Sequence, residues 1–252
     1  MRRAVIVGGA EIRDYPAVKK QLDENDFYVF CDSGLFHAET LGVKPGLILG
    51  DFDSHPLPDE VTAQKTQSAD LMKGGVTSGH GIWKEKAPYG KEIRHTCTAD
   101  GCEMIVLPHE KDWTDTVYAA HLIAERGYKK ALLIGVSGGR PDHYFANIAI
   151  LNMLELQGVE AWMADEISRI RILSAERGTT ARIDDSCRYF SLLAYDGPAR
   201  GVRIRNALYP LEDGIITAAE PYAVSNEVLP GCTAEVSVGE GRVMLVIISK
   251  KQ

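Results

Sequence analysis

The first two thirds of the chain alternates short apolar runs with amphipathic stretches. "RAVIVGG", "FYVFCD", "LILGD", "EMIVLP", "ALLIGV" and "EAWMAD" are rich in Val, Ile and Leu and have few polar breaks. Such unbroken runs are expected of strands covered on both faces. "YPAVKKQLDEN", "GLFHAETLG", "TDTVYAAHLIAERG" and "YFANIAILNMLELQG" lie between them and read as helices, the last two closing on glycine. Repeated strand–helix–strand units predict an α/β fold with a doubly wound, mainly parallel sheet.

Beyond about residue 165 the texture changes. "SRIRILSAE", "TTARID", "RYFSLLAYD", "ARGVRIRN", "GIITAA", "AEVSVG" and "RVMLVIISK" are short, punctuated by Gly, Pro, Asp and Asn, and without helical period. They predict a smaller C-terminal all-β domain, a sandwich or barrel. The expected division is an α/β domain over 1–165 and an all-β domain over 166–252. The stretch 67–101 fits neither pattern, being polar, Gly-rich and weakly periodic. It is expected to be an insertion with room for a hairpin. His80, His95 and Cys97 fall in it and Cys102 follows it, but their spacing matches no common zinc site, and a solvated loop is the plainer reading.

Composition narrows the function. A chain of 252 residues with formal net charge −7 is a poor candidate for broad nucleic-acid binding. A polyphosphate ligand stays possible, because a divalent cation can bridge acids to phosphates. The N-terminal "MRRAVIVGGAEIRDYP" lacks the length and cleavage site of a signal peptide, and no apolar run approaches the roughly 20 residues of a membrane span. Five scattered cysteines without Cys-x-x-Cys point to a reduced, cytoplasmic protein.

Ligands of an open parallel sheet gather beyond the carboxyl ends of its strands. There the sequence places Asp32-Ser33-Gly34, then Gly50-Asp51-Phe52-Asp53-Ser54, then Lys111, Asp112 and Asp115, then Gly138-Gly139-Arg140 with Asp142 and His143. Asp51 and Asp53 are two apart, so an extended backbone sets them on one side. Two such carboxylates raise each other's pKa unless a cation joins them, and as hard oxygen donors they suit Mg²⁺, with Asp112 as a third. The plain alternative is a helix cap or Asx turn, which also fits Asp112, Thr114 or Asp115 before the next helix. Lys111 beside the acids suits phosphate contact. The Gly138–Gly139 turn opens a helix whose amides could cradle an anion, with Arg140 as a planar donor. His143 is read as a buttress of that loop or a catalytic group. The Gly pair in "VIVGGAE" could let a phosphate or adenine approach the backbone, although no Walker A, G-x-G-x-x-G or G-x-S-x-G pattern occurs.

Taken in order, "CDSG…GDFDS", "P-x-x-KD-x-TD" and "GxxGGRxDH…N", at 31–34, 50–54, 108–115 and 135–147, resemble the motifs of the thiamine pyrophosphokinase family. "ALYPLEDGIIT…YAVSNE…AEVSVGEGRVMLVI" resembles that family's smaller β domain. The resemblance implies a transferase that moves a diphosphoryl unit from ATP to the hydroxyl of thiamine and releases AMP. It implies that Asp51, Asp53 and Asp112 bind Mg²⁺, and that Arg140, Asp142 and Ser54, with Asp32, Lys111, Gly139 and His143 nearby, serve the nucleotide. It implies that Ser225 and Asn226 meet the thiamine end, and that the chain is a homodimer whose active sites lie at the subunit interface. Some relatives place a tryptophan of the β domain against thiamine. Here Trp83, Trp113 and Trp162 all precede that domain, leaving Tyr209 as the nearest aromatic candidate, with a buried core role as its alternative. Either Asp112 or Asp115 could take the acceptor's proton, and the sequence does not choose. Two other readings are a related pyrophosphokinase with another hydroxymethyl acceptor, such as a pterin, and a non-catalytic nucleotide-sensing module.

Overall fold

The apolar runs of the N-terminal half are unbroken because helices claim both faces of the sheet they form. The computed structural model describes residues 2–52, 93–98 and 101–250. Its first strands are β1 (Ala4–Val7), β2 (Phe27–Cys31), β3 (Leu47–Gly50), β4 (Arg94–Cys97), β5 (Glu103–Val106), β6 (Lys130–Ile134) and β7 (Glu160–Ala164). All but β4 run parallel, in the order β5-β3-β2-β1-β6-β7. Val5, Val7, Tyr28 and Phe30 pack towards α1 (Tyr15–Lys19) and α2 (His37–Leu41). Their alternates Ile6, Val29 and Leu49 pack towards α3 (Asp115–Glu125) and α4 (Pro141–Leu156). This is the period-two alternation of a strand with both sides buried.

The sheet order reverses between β1 and β6, the switch point where such sheets open a crevice. The two turns meet closely there. Gly8 N–H donates to the Ile134 carbonyl (2.9 Å) and Ala10 N–H to the Gly135 carbonyl (2.8 Å). A Cβ on Gly8 would stand 2.6 Å from the Gly135 oxygen, and one on Gly135 would stand 2.5 Å from the Gly8 oxygen. The glycine that follows β1 is therefore required by contact between two strand ends.

Two expectations are corrected and one is made specific. α1 ends at Lys19 instead of running through "QLDEN", because Asp23, Asn25 and Asp26 bond locally: Asn25 N–H donates to Asp23 Oδ1 (2.9 Å) and Asp23 N–H to Asp26 Oδ2 (2.8 Å). At the end of the 67–101 stretch, where a hairpin had room, β4 is an antiparallel edge strand on β5, and Gly101 N–H donates to the Thr98 carbonyl (2.9 Å). Its exposed Arg94, His95 and Cys97 hide the apolar alternation by which strands are read. Positions 53–92, including His80, lie outside the described residues. Finally, "RYFSLLAYD" and "ARGVRIRN" are one strand.

The remaining strands are β8 (Ser168–Ser174), β9 (Thr180–Asp184), β10 (Cys187–Arg205), β11 (Leu211–Ile216), β12 (Thr233–Ser237) and β13 (Glu240–Ser249). β8 pairs antiparallel with β7, so the sheet continues through β8, β13 and the first half of β10. The register then breaks between Tyr195 and Arg200, around Asp196 with φ +55°, and the second half of β10 pairs with β11 and β12. Such a bulge bends a strand out of one layer into another. The core between includes Phe190, Leu192, Val202, Ile204, Val236 and Leu245.

Candidate active site

Three strand ends bring acids around one lysine. Lys111 Nζ is hydrogen-bonded to Asp51 Oδ2 and lies 3.2 Å from Asp115 Oδ1. Its side chain is only 7% exposed, so the ammonium is held by the acids and not by water. Burial pulls Lys111 down, but the Asp51 hydrogen bond and the charges of Asp115 and Asp51 outweigh it and raise the pKa. Asp115 is pushed up to about 6, first by burial and then by Asp51 and Asp32, against the pull of Lys111. The same field reaches the buried Cys31 thiol, pushed up by burial and then by Asp115 and Asp32.

Asp32 enters through the turn Asp32–Phe36 after β2, with φ +45°, and packs on the end of β3: a Cβ on Gly50 would lie 3.1 Å from its Cα. Phe52, next to Asp51, is also left-handed at φ +54°. Two non-glycine residues held in that region mark a constrained loop pair. Asp32 Oδ1 is buried without a hydrogen-bond partner among the described residues, and Asp115 Oδ1 meets the Lys111 ammonium. Asp53 and Ser54 lie outside the described residues. Asp112, expected beside Asp51, is exposed: in the segment before α3, Lys111, Trp113 and Asp115 turn inward and Asp112 turns to solvent. Thr114 is the N-cap of α3, accepting from Val117 N–H (3.4 Å), and Asp115 sits in its first turn.

The second cluster follows β6. Gly138 and Gly139 adopt φ +91° and +66°, and α4 starts at Pro141 with Asp142 in its first turn. Arg140 forks onto Asp142, its Nε donating to Oδ1 (3.1 Å), and both side chains are mostly exposed. His143 is exposed in the same turn. The buried Asn147, which the sequence motif contains but to which no role was attached, joins the clusters. Its Nδ2 donates to the Val136 carbonyl beyond β6 (2.9 Å), and its Oδ1 accepts from Thr116 of α3 (3.0 Å). A polar residue among the apolar positions of a helix was the available signal.

The residues assigned to thiamine divide differently than expected. Tyr209 is 65% exposed, which removes its core alternative. Asn226 is buried, and its amide is used by backbone: Oδ1 accepts from Tyr209 N–H (3.0 Å) and Glu227 N–H (2.9 Å), while Nδ2 donates to the Tyr209 carbonyl (2.8 Å). It therefore holds the Tyr209 turn in place. Ser225 is exposed at φ +60°, its N–H donating to Ser191 Oγ (3.0 Å).

Comparison with known proteins agrees along the chain. The family model "Thiamin pyrophosphokinase, catalytic domain" matches residues 89–163, and "Thiamin pyrophosphokinase, vitamin B1 binding domain" matches residues 179–243, together more than half of the chain. A protein of Bacillus subtilis (strain 168) described as thiamine pyrophosphokinase is 22% identical over 229 residues, 91% of each chain. The crystal structure of thiamine pyrophosphokinase from Bacillus subtilis superposes with TM-score 0.72 at 20% identity, covering 100% of both chains. That of thiamin pyrophosphokinase from Geobacillus thermodenitrificans gives 0.71 at 22% identity, covering 100% of this chain and 99% of the other.

Proposed function

The chain belongs to the thiamin pyrophosphokinase family and is a diphosphotransferase, and we propose that its reaction is transfer of a diphosphoryl group from ATP to the hydroxyl of thiamine, releasing AMP. The observation that carries the chemistry is the pair Asp51 and Asp115 on Lys111, with Asp32 close enough to act on Asp115, at the strand ends where a parallel sheet receives a nucleotide. The vitamin B1 match over 179–243 favours thiamine over a pterin alcohol.

The oxygen-only donor set and the unpartnered Asp32 Oδ1 fit a hard divalent cation. Asp51, Asp53 and the solvent-facing Asp112 are the residues to hold Mg²⁺, which when bound would offset charge on the ATP phosphates. Asp115 takes the other role left open by the sequence. Its burial and its pKa of about 6 suit a base that accepts the thiamine hydroxyl proton near neutral pH. Lys111 and Arg140 stabilise negative charge on the transferred and leaving phosphates, and the Gly138–Gly139 turn with the start of α4 orients them. Positioning and charge stabilisation are what phosphoryl-type transfer chiefly needs.

In this reading residues 1–165 hold nucleotide and metal, and 166–252 hold thiamine and the dimer contact. Leu208, Tyr209, Tyr222, Val224 and Leu229 are exposed near Ser225, apolar surface that a second subunit and the thiamine ring would cover. A cytoplasmic location accords with five free cysteines. Among the described residues, no helix is long and apolar enough to cross a membrane. The test is incubation with ATP, Mg²⁺ and thiamine, or a pterin alcohol, while AMP and thiamine diphosphate are measured. AMP release with the pterin only, or ATP binding without AMP release for either acceptor, would overturn the proposal.

A further inference from the structure

A cavity of about 350 Å³ lies at the other end of the sheet, where α4 finishes and β7 begins. Glu155, Glu160, Trp162, Arg171, Arg177 and Arg182 line it. None follows the carboxyl end of a parallel strand, so the cavity is separate from the candidate active site. Arg171 and Glu155 are built into its wall, their side chains 8% and 3% exposed. Yet they stand 3.8 Å apart, too far for a hydrogen bond, and Arg171 Nη1 reaches only Glu160 Oε1 at 3.4 Å. Arg171 Nε and Glu155 Oε1 have no hydrogen-bond partner among the described residues. The Thr179 hydroxyl donates to the Ser174 carbonyl (3.1 Å) and also lies within reach of Glu155, drawing its pKa down against burial, so Oε1 is the Glu155 oxygen left without a partner.

Positive charge is in excess around this cavity. The Arg169 and Arg171 guanidinium groups both lie over the Trp162 ring, 4.6 and 5.2 Å from its centroid. Burial holds both below the usual arginine range, and like-charged neighbours add to it. Arg177 and Arg182 stand at the mouth, Arg177 Nη1 donating to the Glu155 carbonyl (2.8 Å). A buried donor and a buried acceptor left unmet are both costly, and one ligand that carries an acceptor and a donor together would relieve them.

We propose that this cavity binds a protonated phosphoryl group, either hydrogen phosphate or a small phosphate monoester, with its oxygens on Arg171, Arg177 and Arg182 and its hydroxyl donating to Glu155. Guanidinium forks match tetrahedral oxyanions, and the cavity is larger than a bare phosphate needs. The proposal does not depend on the catalytic reading, because no residue is shared.

The test is isothermal titration of the full chain with inorganic phosphate at constant ionic strength. Mg²⁺ and a non-hydrolysable ATP analogue are kept saturating so that the active site is filled. Saturable binding of one phosphate is expected. Sulfate, the same shape without a proton to donate, should bind about tenfold or more weakly, as should phosphate to Arg182→Ala or Arg177→Lys. Thiamine-dependent AMP release by Arg182→Ala should be unchanged. Parallel titration with glycerol phosphate separates the two sources, the tighter ligand being the class the cavity takes. Loss of all phosphate binding once the ATP analogue is present overturns the proposal. So do equal affinities for phosphate and sulfate, or undiminished binding by both variants.

Discussion

Replacing Asp115 with Asn should make the metal-free protein more stable at neutral pH while crippling the reaction. Asp115 titrates near 6 instead of 3.8, chiefly because it is buried, with Asp51 and Asp32 adding to the effect. A folded-state pKa above the unfolded value means that the native chain keeps a proton the unfolded chain has shed. Native stability therefore falls as pH rises from about 4 to about 6 and is level above that. At about 1.4 kcal/mol per pKa unit, the ionised carboxylate costs roughly 3 kcal/mol once the plateau is reached. The pull of Lys111 is already contained in that shift, so what the variant loses besides is a favourable charge in the first turn of α3, about 0.3–1 kcal/mol. The net gain should be about 2 kcal/mol on the plateau and should vanish near pH 4. Urea unfolding in the presence of EDTA, repeated between about pH 4 and pH 8, measures it. A variant no more stable than the parent at the alkaline end, or one whose advantage does not change with pH, refutes the reasoning. Turnover of the variant should fall by about 10²-fold or more if Asp115 is the base, so stability and activity move in opposite directions.

Other substitutions separate the remaining roles. Asp51→Asn should sharply reduce turnover and raise the magnesium needed for half-maximal rate; initial rates across a magnesium series check this, and unchanged rates at unchanged magnesium would remove Asp51 as a ligand. Arg140→Ala should raise KM for ATP yet leave the unfolding midpoint unchanged, since an exposed side chain carries little stability. Asn226→Ala should cost about 2–3 kcal/mol by stranding the Tyr209 backbone groups. It should also raise KM for thiamine and not for ATP, a split that steady-state kinetics with each substrate varied will show.

The parallel half of the fold was legible because its strands are buried on both faces, and apolar runs of that kind have few other uses. β4 was not, because an edge strand with one wet face can be written in Arg, His and Cys. The single long β10 was misread for a related reason. Asp196-Gly197-Pro198 is spelled like a turn between strands, and only tertiary pairing makes it a bulge within one. At the site, Asp51 and Lys111 were legible from their place after strands. Which of Asp112 and Asp115 faces inward was not, since one residue of register in an extended segment reverses the answer. Asn226 shows a different limit. Nothing in its sequence setting says that its amide also closes the Tyr209 turn.

That limit exposes a division of labour between buried polar groups. Asn147 and Asn226 spend their amides on backbone and side-chain partners within the protein, so they can be buried at little cost and can fix geometry. Asp32 keeps a buried oxygen without a partner among the described residues and Asp115 meets Lys111 at the expense of its own ionisation, a costly arrangement of the kind that marks functional sites. The two arrangements depend on each other. Asn147 ties α3, which carries Asp115, to the turn beyond β6 that leads to Arg140, so the acids and the phosphate cradle are held by one neutral joint. Asn147→Asp tests the dependence. A negative charge there would lose the donor to Val136 and sit buried beside α3, costing about 2 kcal/mol or more. If it also weakens ATP binding although it touches neither cluster's charged atoms, the joint is what aligns them; if ATP binding is unchanged in the folded variant, the clusters are positioned independently.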